Sequence, residues 1–289
     1  MEWYLGKKVF ITGGSSGIGR ATAEHLVRWG ADVCIASRGI DRLTEAAEEM
    51  RGHTVRHGQK ILAMPLDVTV PKQCHKVAQK AVRELGGVDV LINNAGASRP
   101  GTLDRIPDEV WDFLMQVNYM GTVNCTRAFL PYFIRQESGR IANVSSVLGF
   151  MGLFGYSAYA ATKFAVVGFS ESIRQDLLRY HIKVSVFYPP DTDTPLLHEE
   201  NKIKPEETRV LAGKIKPMSA ESVALHLLKG LARGKFIIIP GFLSKLTYGL
   251  NRYAPALLRG FLDRELRNYQ KTIRLPDPAA RDLKTRFTV

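Results

Sequence analysis

The segment Val9-Phe10-Ile11-Thr12, followed by Gly13-Gly14-Ser15-Ser16-Gly17-Ile18-Gly19, narrows the possible folds more than any other stretch of this chain. Four β-branched or aromatic residues in a row read as a short buried strand. The glycines let the backbone turn sharply, and the apolar spacing from Gly17 to Trp29 opens a helix. Such a helix N-terminus presents backbone N–H groups to an anion, which is how dinucleotide-binding folds hold a pyrophosphate. An ordinary tight strand-to-helix turn also uses glycine, so the assignment depends on the pattern of the rest of the chain.

Downstream of the glycine turn, strands and helices alternate regularly. Ala31 to Ala36, Ile61 to Leu66, Val88 to Ile92, Arg140 to Ser145 and Lys183 to Tyr188 read as short apolar strands. Between them, Leu43 to Met50, Val70 to Leu85 and Ser157 to Tyr180 carry helical periodicity. The stretch from Asp108 to Gln136 reads as two helices interrupted near Tyr119. Continuous apolar strands between amphipathic helices predict an α/β fold: a doubly wound (Rossmann) parallel sheet with helices on both faces. Residues 189–217 are polar and proline-punctuated, and read as a long functional loop with short helices. Phe236 to Pro240 reads as one more strand. The predicted division is a dinucleotide-binding domain over 1–240 and a basic amphipathic C-terminal extension over 241–289.

Composition limits the alternatives. Of 289 residues, 45% are apolar and 24% charged, the balance of a soluble globular chain with ample core. Cys34, Cys74 and Cys125 are far apart and odd in number, and suit neither a metal site nor a disulfide framework. The expectation is reduced, partly buried thiols in a cytoplasmic protein without a metal. The polar N-terminus runs at once into the first strand, and no apolar run reaches the roughly 20 residues of a membrane span. The net charge is +12, and the segment from Gly241 to Val289 holds ten Lys or Arg against four Asp or Glu. A basic surface can meet nucleic acid, an anionic cofactor or an acidic membrane. No nucleic-acid motif accompanies it, and nucleic-acid binding is not expected.

The second strand ends at Ser37-Arg38, nineteen residues after Gly19. An acid near that position holds ribose hydroxyls in NAD-binding folds. Arginine instead suits the 2′-phosphate of NADP, so NADPH/NADP+ is the expected cofactor. A solvated surface arginine is the plain alternative.

Tyr159 and Lys163 lie four apart on a predicted helix and share a face, and Ser146 lies thirteen residues upstream, just past the fifth strand. A phenol has an ordinary pKa near 10, too high for ready proton exchange at neutral pH. A neighbouring ammonium favours the phenolate and is expected to lower that pKa. A serine hydroxyl can hydrogen-bond a carbonyl oxygen as it gains charge. An isolated Tyr-x-x-x-Lys is usually a surface pair; downstream of a cofactor loop it points to carbonyl reduction.

These residues, with Leu66-Asp67-Val68, Asn93-Asn94-Ala95-Gly96, Asn118, Ser145-Ser146, Tyr159-Ala160-Ala161-Thr162-Lys163 and Tyr188-Pro189-Pro190, make the chain resemble the short-chain dehydrogenase/reductase family from about Lys7 to Pro195. The resemblance implies that Ser146 orients the carbonyl and Tyr159 is the general acid. It implies that Lys163 holds the nicotinamide ribose and tunes Tyr159, while Asn118 holds a water linking Lys163 to solvent. Gly13, Ser15, Ser16, Gly17, Ile18, Gly19 and Arg38 would then contact the cofactor. So would Asp67 and Val68 at the adenine, Asn94, Ala95 and Gly96 along its floor, and Pro189, Thr192 and Thr194 near the nicotinamide. The family usually has Pro-Gly where this chain has Pro189-Pro190; the second proline fixes φ and removes an N–H.

That double proline, the adjoining Asp191-Thr192-Asp193-Thr194-Pro195 and the segment Glu199 to Arg209 are similar to the 3-ketodihydrosphingosine reductase branch of the family. The resemblance implies NADPH-dependent reduction of a lipid ketone that carries an ammonium beside its carbonyl. Asp191, Asp193, Glu199 and Glu200 are candidate partners for that cation, or else cap helices and face water. Reductases of steroids, retinoids or 3-ketoacyl thioesters are the nearest alternatives, and a non-catalytic NADPH-binding scaffold is the alternative of another class. The resemblance also implies a homo-oligomer, dimer or tetramer.

In the extension, Phe242, Leu243, Leu246, Leu250 and Tyr253 fall at helical spacing, as do Leu257, Leu258, Phe261, Leu262 and Leu266 after a break at Pro255. Lys245, Arg252, Arg259, Arg264 and Arg267 lie among them. Such a helix can rest on an anionic membrane, line a pocket or form a subunit interface. Leu275 to Val289 reads as a loose charged tail.

Overall fold

The computed structural model describes residues 1–213 and 215–272. The expected tail from Leu275 to Val289 lies outside them. The predicted strands form as β1 (Lys8–Thr12), β2 (Asp32–Ser37), β3 (Ile61–Pro65), β4 (Val90–Asn93), β5 (Gly139–Val144) and β6 (Ile182–Phe187). Between them run α1 (Gly17–Arg28), α2 (Ile40–Arg51), α3 (Pro71–Leu85), α4 (Asp108–Leu114), α5 (Gly121–Arg135) and α6 (Ser157–Asp176). Beyond β6 come β7 (Thr192–Asp193), α7 (Pro195–Ile203), α8 (Glu206–Ala212), β8 (Met218–Ser219), α9 (Ala220–Ala232), β9 (Ile237–Ile238), α10 (Phe242–Tyr253) and α11 (Pro255–Thr272).

Seven strands lie in the order β3-β2-β1-β4-β5-β6-β9, and every neighbouring pair is parallel. Alternation explains the two-sided core. In β1, Val9 and Ile11 point into one apolar layer beneath α1, α2 and α9, while Phe10 enters the other beneath α3 and α5. Phe10 meets Phe129 there with ring centroids 4.6 Å apart. The order in which successive strands are added reverses between β1 and β4, and the register sets Thr12 beside Asn93 at their C-terminal ends. That end of such a sheet is where ligands bind in doubly wound folds.

Three features depart from the sequence expectation. The break near Tyr119 is a π-helical stretch, Met115–Met120, that joins α4 to α5 without ending the helix. The polar loop after β6 contains a separate two-stranded sheet, β7 with β8. Cys74 and Cys125, remote in sequence, face each other with sulfurs 3.8 Å apart; all three cysteines are buried and free.

The C-terminal helices pack against the sheet domain. Pro255 starts α11, where its missing N–H is no loss. Asn251 Nδ2 donates to the Phe150 carbonyl at 2.6 Å, and Tyr248 packs edge-on against Phe150. The inner apolar face of α10 and α11 thus closes over the loop after β6.

Candidate active site

The glycine loop has a steric reason for its composition. Gly13 sits at φ +66, and a Cβ there would stand 2.9 Å from Asn94 Nδ2 and 3.0 Å from the Ala95 backbone. A Cβ on Gly19 would fall 2.3 Å from the Gly13 carbonyl oxygen and 2.5 Å from Asn94 Nδ2. Asn94 ties this cradle together: its Nδ2 donates to the Thr12 and Gly13 carbonyls, and Thr12 Oγ1 accepts from the N–H groups of Asn94 and Ala95. Ser16 leads into α1 in extended conformation, and no side chain caps that helix. The first-turn N–H groups therefore face a cavity of about 180 Å³. Its walls include Gly13, Ser15, Ser16, Gly17, Ile18, Asn94, Ala95, Gly96, Tyr159, Lys163, Pro189 and Thr194. A tight glycine floor, an uncapped helix end and hydroxyls above it fit the phosphate-bearing part of a dinucleotide.

The remaining predicted cofactor residues lie elsewhere. Arg38 is exposed at the end of β2, one residue from Gly39, and the Arg42 guanidinium lies about one van der Waals contact from where a Gly39 Cβ would be. Asp67 turns inward on its own loop, accepting from the Thr69 N–H and hydroxyl at 2.9 and 2.7 Å. Val68 is buried, and its carbonyl accepts from Asn124. Thr192 donates to the Pro190 carbonyl and borders the second cavity, not the first. Thr194 borders both and caps α7.

The end of β5 and one face of α6 are clipped together. Lys163 Nζ donates to the Val144 carbonyl at 3.0 Å, and Ser145 Oγ donates to the Lys163 carbonyl at 3.0 Å. Lys163 Nζ also lies 5.6 Å from the Tyr159 ring centroid. Ser146 Oγ accepts from the Leu148 N–H at 3.1 Å, and its hydroxyl also hydrogen-bonds the Tyr159 side chain at the cavity. Asn118 projects from the π-helical stretch: its Oδ1 accepts from the Ala97 N–H, and its Nδ2 donates to the Ala97 carbonyl and Thr162 Oγ1. Its amide is thus fully engaged in holding the Ala97 backbone against α6.

The electrostatics differ from the sequence expectation in one respect. Burial pushes the Tyr159 phenol above its ordinary value, the Glu200 carboxylate pushes the same way, and Ser146 pulls it back. Burial is likewise the first cause at Lys163, whose ammonium is pulled down to about 8, opposed by Glu200. The physical reason is desolvation, which disfavours whichever form is charged.

A second cavity of about 540 Å³ meets the first at Tyr159, Ile18, Pro189, Thr194 and Leu196. Ser146 and Tyr159 stand at its inner end, and Met151, Leu153, Leu211, Phe261 and Leu262 line its length. The C-terminal extension therefore contributes pocket wall. Sequence reading missed Tyr156 and Lys204 here. Among the described residues no cluster of metal-ligating side chains occurs.

A parallel doubly wound sheet with a glycine cradle, a Tyr-Lys face and a Ser at one junction defines an oxidoreductase of the nicotinamide-using kind. The pattern of the short chain dehydrogenase family matches residues 7–205, and the chain belongs to that family. It is 38% identical over 250 residues to a mouse protein named 3-ketodihydrosphingosine reductase, covering 85% of this chain and 75% of that one. It is 37% identical to a 3-oxoacyl-[acyl-carrier-protein] reductase from Thermotoga maritima, over 77% and 90% of the two chains. A short chain dehydrogenase from Burkholderia cenocepacia, solved in complex with NADP, superposes with a TM-score of 0.74 over 90% of this chain and 98% of that one, at 23% identity.

Proposed function

We propose that this enzyme reduces 3-ketodihydrosphingosine to dihydrosphingosine with NADPH. The observation that carries the reading is the meeting of two cavities at Tyr159: a smaller one floored by the glycine cradle, and a larger, mostly apolar one. A long-chain ketone needs both. The relatives bearing that substrate's name span most of the chain, which supports the choice.

When bound in the glycine-floored cavity, a reduced nicotinamide would supply the hydride for the carbonyl carbon. Tyr159 donates its phenolic proton to the carbonyl oxygen, completing the alcohol. Ser146, its acceptor side occupied by the Leu148 N–H, donates to the same oxygen as negative charge builds there. Lys163, fixed by the Val144 carbonyl, keeps a positive charge beside the phenolate that forms. Asn118 positions the strand-end backbone at Ala97 and, through Thr162, the helix that bears Tyr159. Arg38 and Arg42, both exposed, would hold the 2′-phosphate. The overall test is NADPH oxidation with 3-ketodihydrosphingosine in detergent micelles; turnover of a 3-ketoacyl thioester instead would reassign the substrate.

Cofactor choice has its own test. In Arg38→Asp the NADPH:NADH ratio of kcat/KM falls by roughly 10- to 100-fold, because a charge-assisted contact becomes a repulsion. An unchanged ratio would remove Arg38 from the site.

The outer face of the extension supports lipid contact. Tyr253 is 84% exposed, with Leu257 also outside and the exposed Lys245, Arg252 and Arg259 on the same two helices. No helix among the described residues is long and apolar enough to cross a membrane. We infer that α10 and α11 rest on an anionic lipid surface, with the cavity between them open to it. The enzyme is then expected to co-sediment with phosphatidylserine-containing vesicles, release in high salt and ignore pure phosphatidylcholine. Equal recovery in the supernatant with both vesicles would argue for a subunit interface on this face, in keeping with a homo-oligomer.

A further inference from the structure

Among the acids of the loop after β6, three are accounted for. Asp193 pairs with His198 at 2.7 Å and Glu199 with Lys202 at 2.5 Å, all four exposed. Asp191 lies at the rim of the large cavity and is exposed. Glu200 is different: it is 8% exposed, lies on α7 and borders the large cavity beside Tyr159. Its Oε2 accepts from the Tyr156 hydroxyl at 2.6 Å. The Tyr156 and Tyr159 ring centroids are 5.8 Å apart, so one aromatic ring separates this carboxylate from the proton donor.

A carboxylate this buried is ordinarily paired. Its neighbour Lys204, also buried, holds its Nζ 5.8 Å from the Tyr156 ring centroid and makes no contact ion pair with Glu200 among the described residues. Burial pushes the Glu200 carboxyl up, and hydrogen bonds from Tyr156 and from the Ser98 hydroxyl, buried nearby, and the more distant Lys204 charge pull it back. The cavity thus holds an acceptor-rich spot within reach of the Tyr159 hydroxyl and open to a cation. Most of the rest of its wall is apolar, with Asp191 and Lys204 among the exceptions.

We propose that Glu200 receives an ammonium group carried on the carbon next to the substrate's ketone, so that the cavity selects long-chain 2-amino ketones over uncharged ketones. The inference rests on the reductase reading above and adds the residue that sets its selectivity. A thioester ketone brings no cation and would leave the carboxylate with its Tyr156 hydrogen bond but no contact ion pair.

The test compares kcat/KM for 3-ketodihydrosphingosine and its 2-deamino analogue in wild type, Glu200→Gln and Glu200→Asp. Wild type is expected to favour the amino ketone by roughly 10- to 100-fold, the range of a hydrogen-bonded charge pair. Glu200→Gln brings the ratio towards one, and Glu200→Asp restores part of it. NADPH binding reports that each variant is folded. An amine preference that survives in folded Glu200→Gln overturns the proposal, as does a wild type indifferent to the amine; in both cases the reductase reading stands. If wild type reduces neither ketone, that reading fails on its own. Calorimetry with dihydrosphingosine and its deamino diol then decides the inference: a preference for the amine lost in Glu200→Gln supports it, and equal affinities overturn it.

Discussion

Replacing Tyr159 by Phe is expected to lower kcat for ketone reduction by about 10²- to 10⁴-fold while NADPH binding is retained, because it removes the general acid alone. The ring stays, so its packing against Tyr156 and the cation above its face are undisturbed. The pH profile separates this role from a structural one. Reduction needs Tyr159 protonated and Lys163 charged. Tyr159 lies above its ordinary value and keeps its proton throughout the neutral and mildly alkaline range. Lys163, pulled down to about 8, loses its proton first as pH rises. Wild-type kcat/KM for reduction should therefore fall as pH rises through about 8, a limb set by Lys163 and not by the phenol. In Tyr159→Phe the residual rate should lose that dependence. A variant with near-normal kcat would sink the assignment of Tyr159 as proton donor, and an alkaline limb displaced well above 8 would sink the role given to Lys163.

The parts of this site that are legible in the sequence share a physical cause. β1, β2 and β4 to β6 are buried on both faces, so their apolar runs are continuous and stand out from the helices. Tyr159 and Lys163 are placed by i,i+4 spacing, which fixes a shared helix face regardless of tertiary detail, and Ser146 by its position just past a strand. The rest depends on what the chain meets in space. Spacing shows that an ammonium adjoins Tyr159, but not that both groups are desolvated, and desolvation decides the direction of both shifts. The hydrogen-bond register of Met115–Met120 leaves no compositional mark, so the π-helical stretch reads as a break. Four acids after β6 look equivalent until α7 turns one of them inward. Even there a signal exists: Leu197, Glu200 and Lys204, all buried, fall at spacings of three and four, a single helix stripe containing two charges.

Gly19→Ala should abolish measurable NADPH binding at concentrations that saturate wild type, and should lower the unfolding midpoint. The added methyl would stand 2.3 Å from the Gly13 oxygen and 2.5 Å from Asn94 Nδ2, closer than van der Waals contact allows. Neither neighbour is the free end of a flexible chain. The Gly13 carbonyl belongs to the turn itself, held by Gly13 N donating to Ala36 at 2.7 Å, and Asn94 is pinned by two bonds to the same turn. Relief therefore requires the whole cradle to move, and overpacking of a tight interior typically destabilises by about 1–3 kcal/mol. The cofactor loss should exceed the stability loss, since the displaced backbone is the surface that would meet the phosphates. Gly168→Ala supplies the contrast: that glycine is exposed on α6 with nothing within 4 Å of a Cβ. There alanine should stabilise by about 0.5–1 kcal/mol through helix propensity and leave NADPH binding unchanged. If Gly19→Ala binds NADPH as tightly as Gly168→Ala, the cavity under the glycine turn is not where the cofactor's phosphates sit.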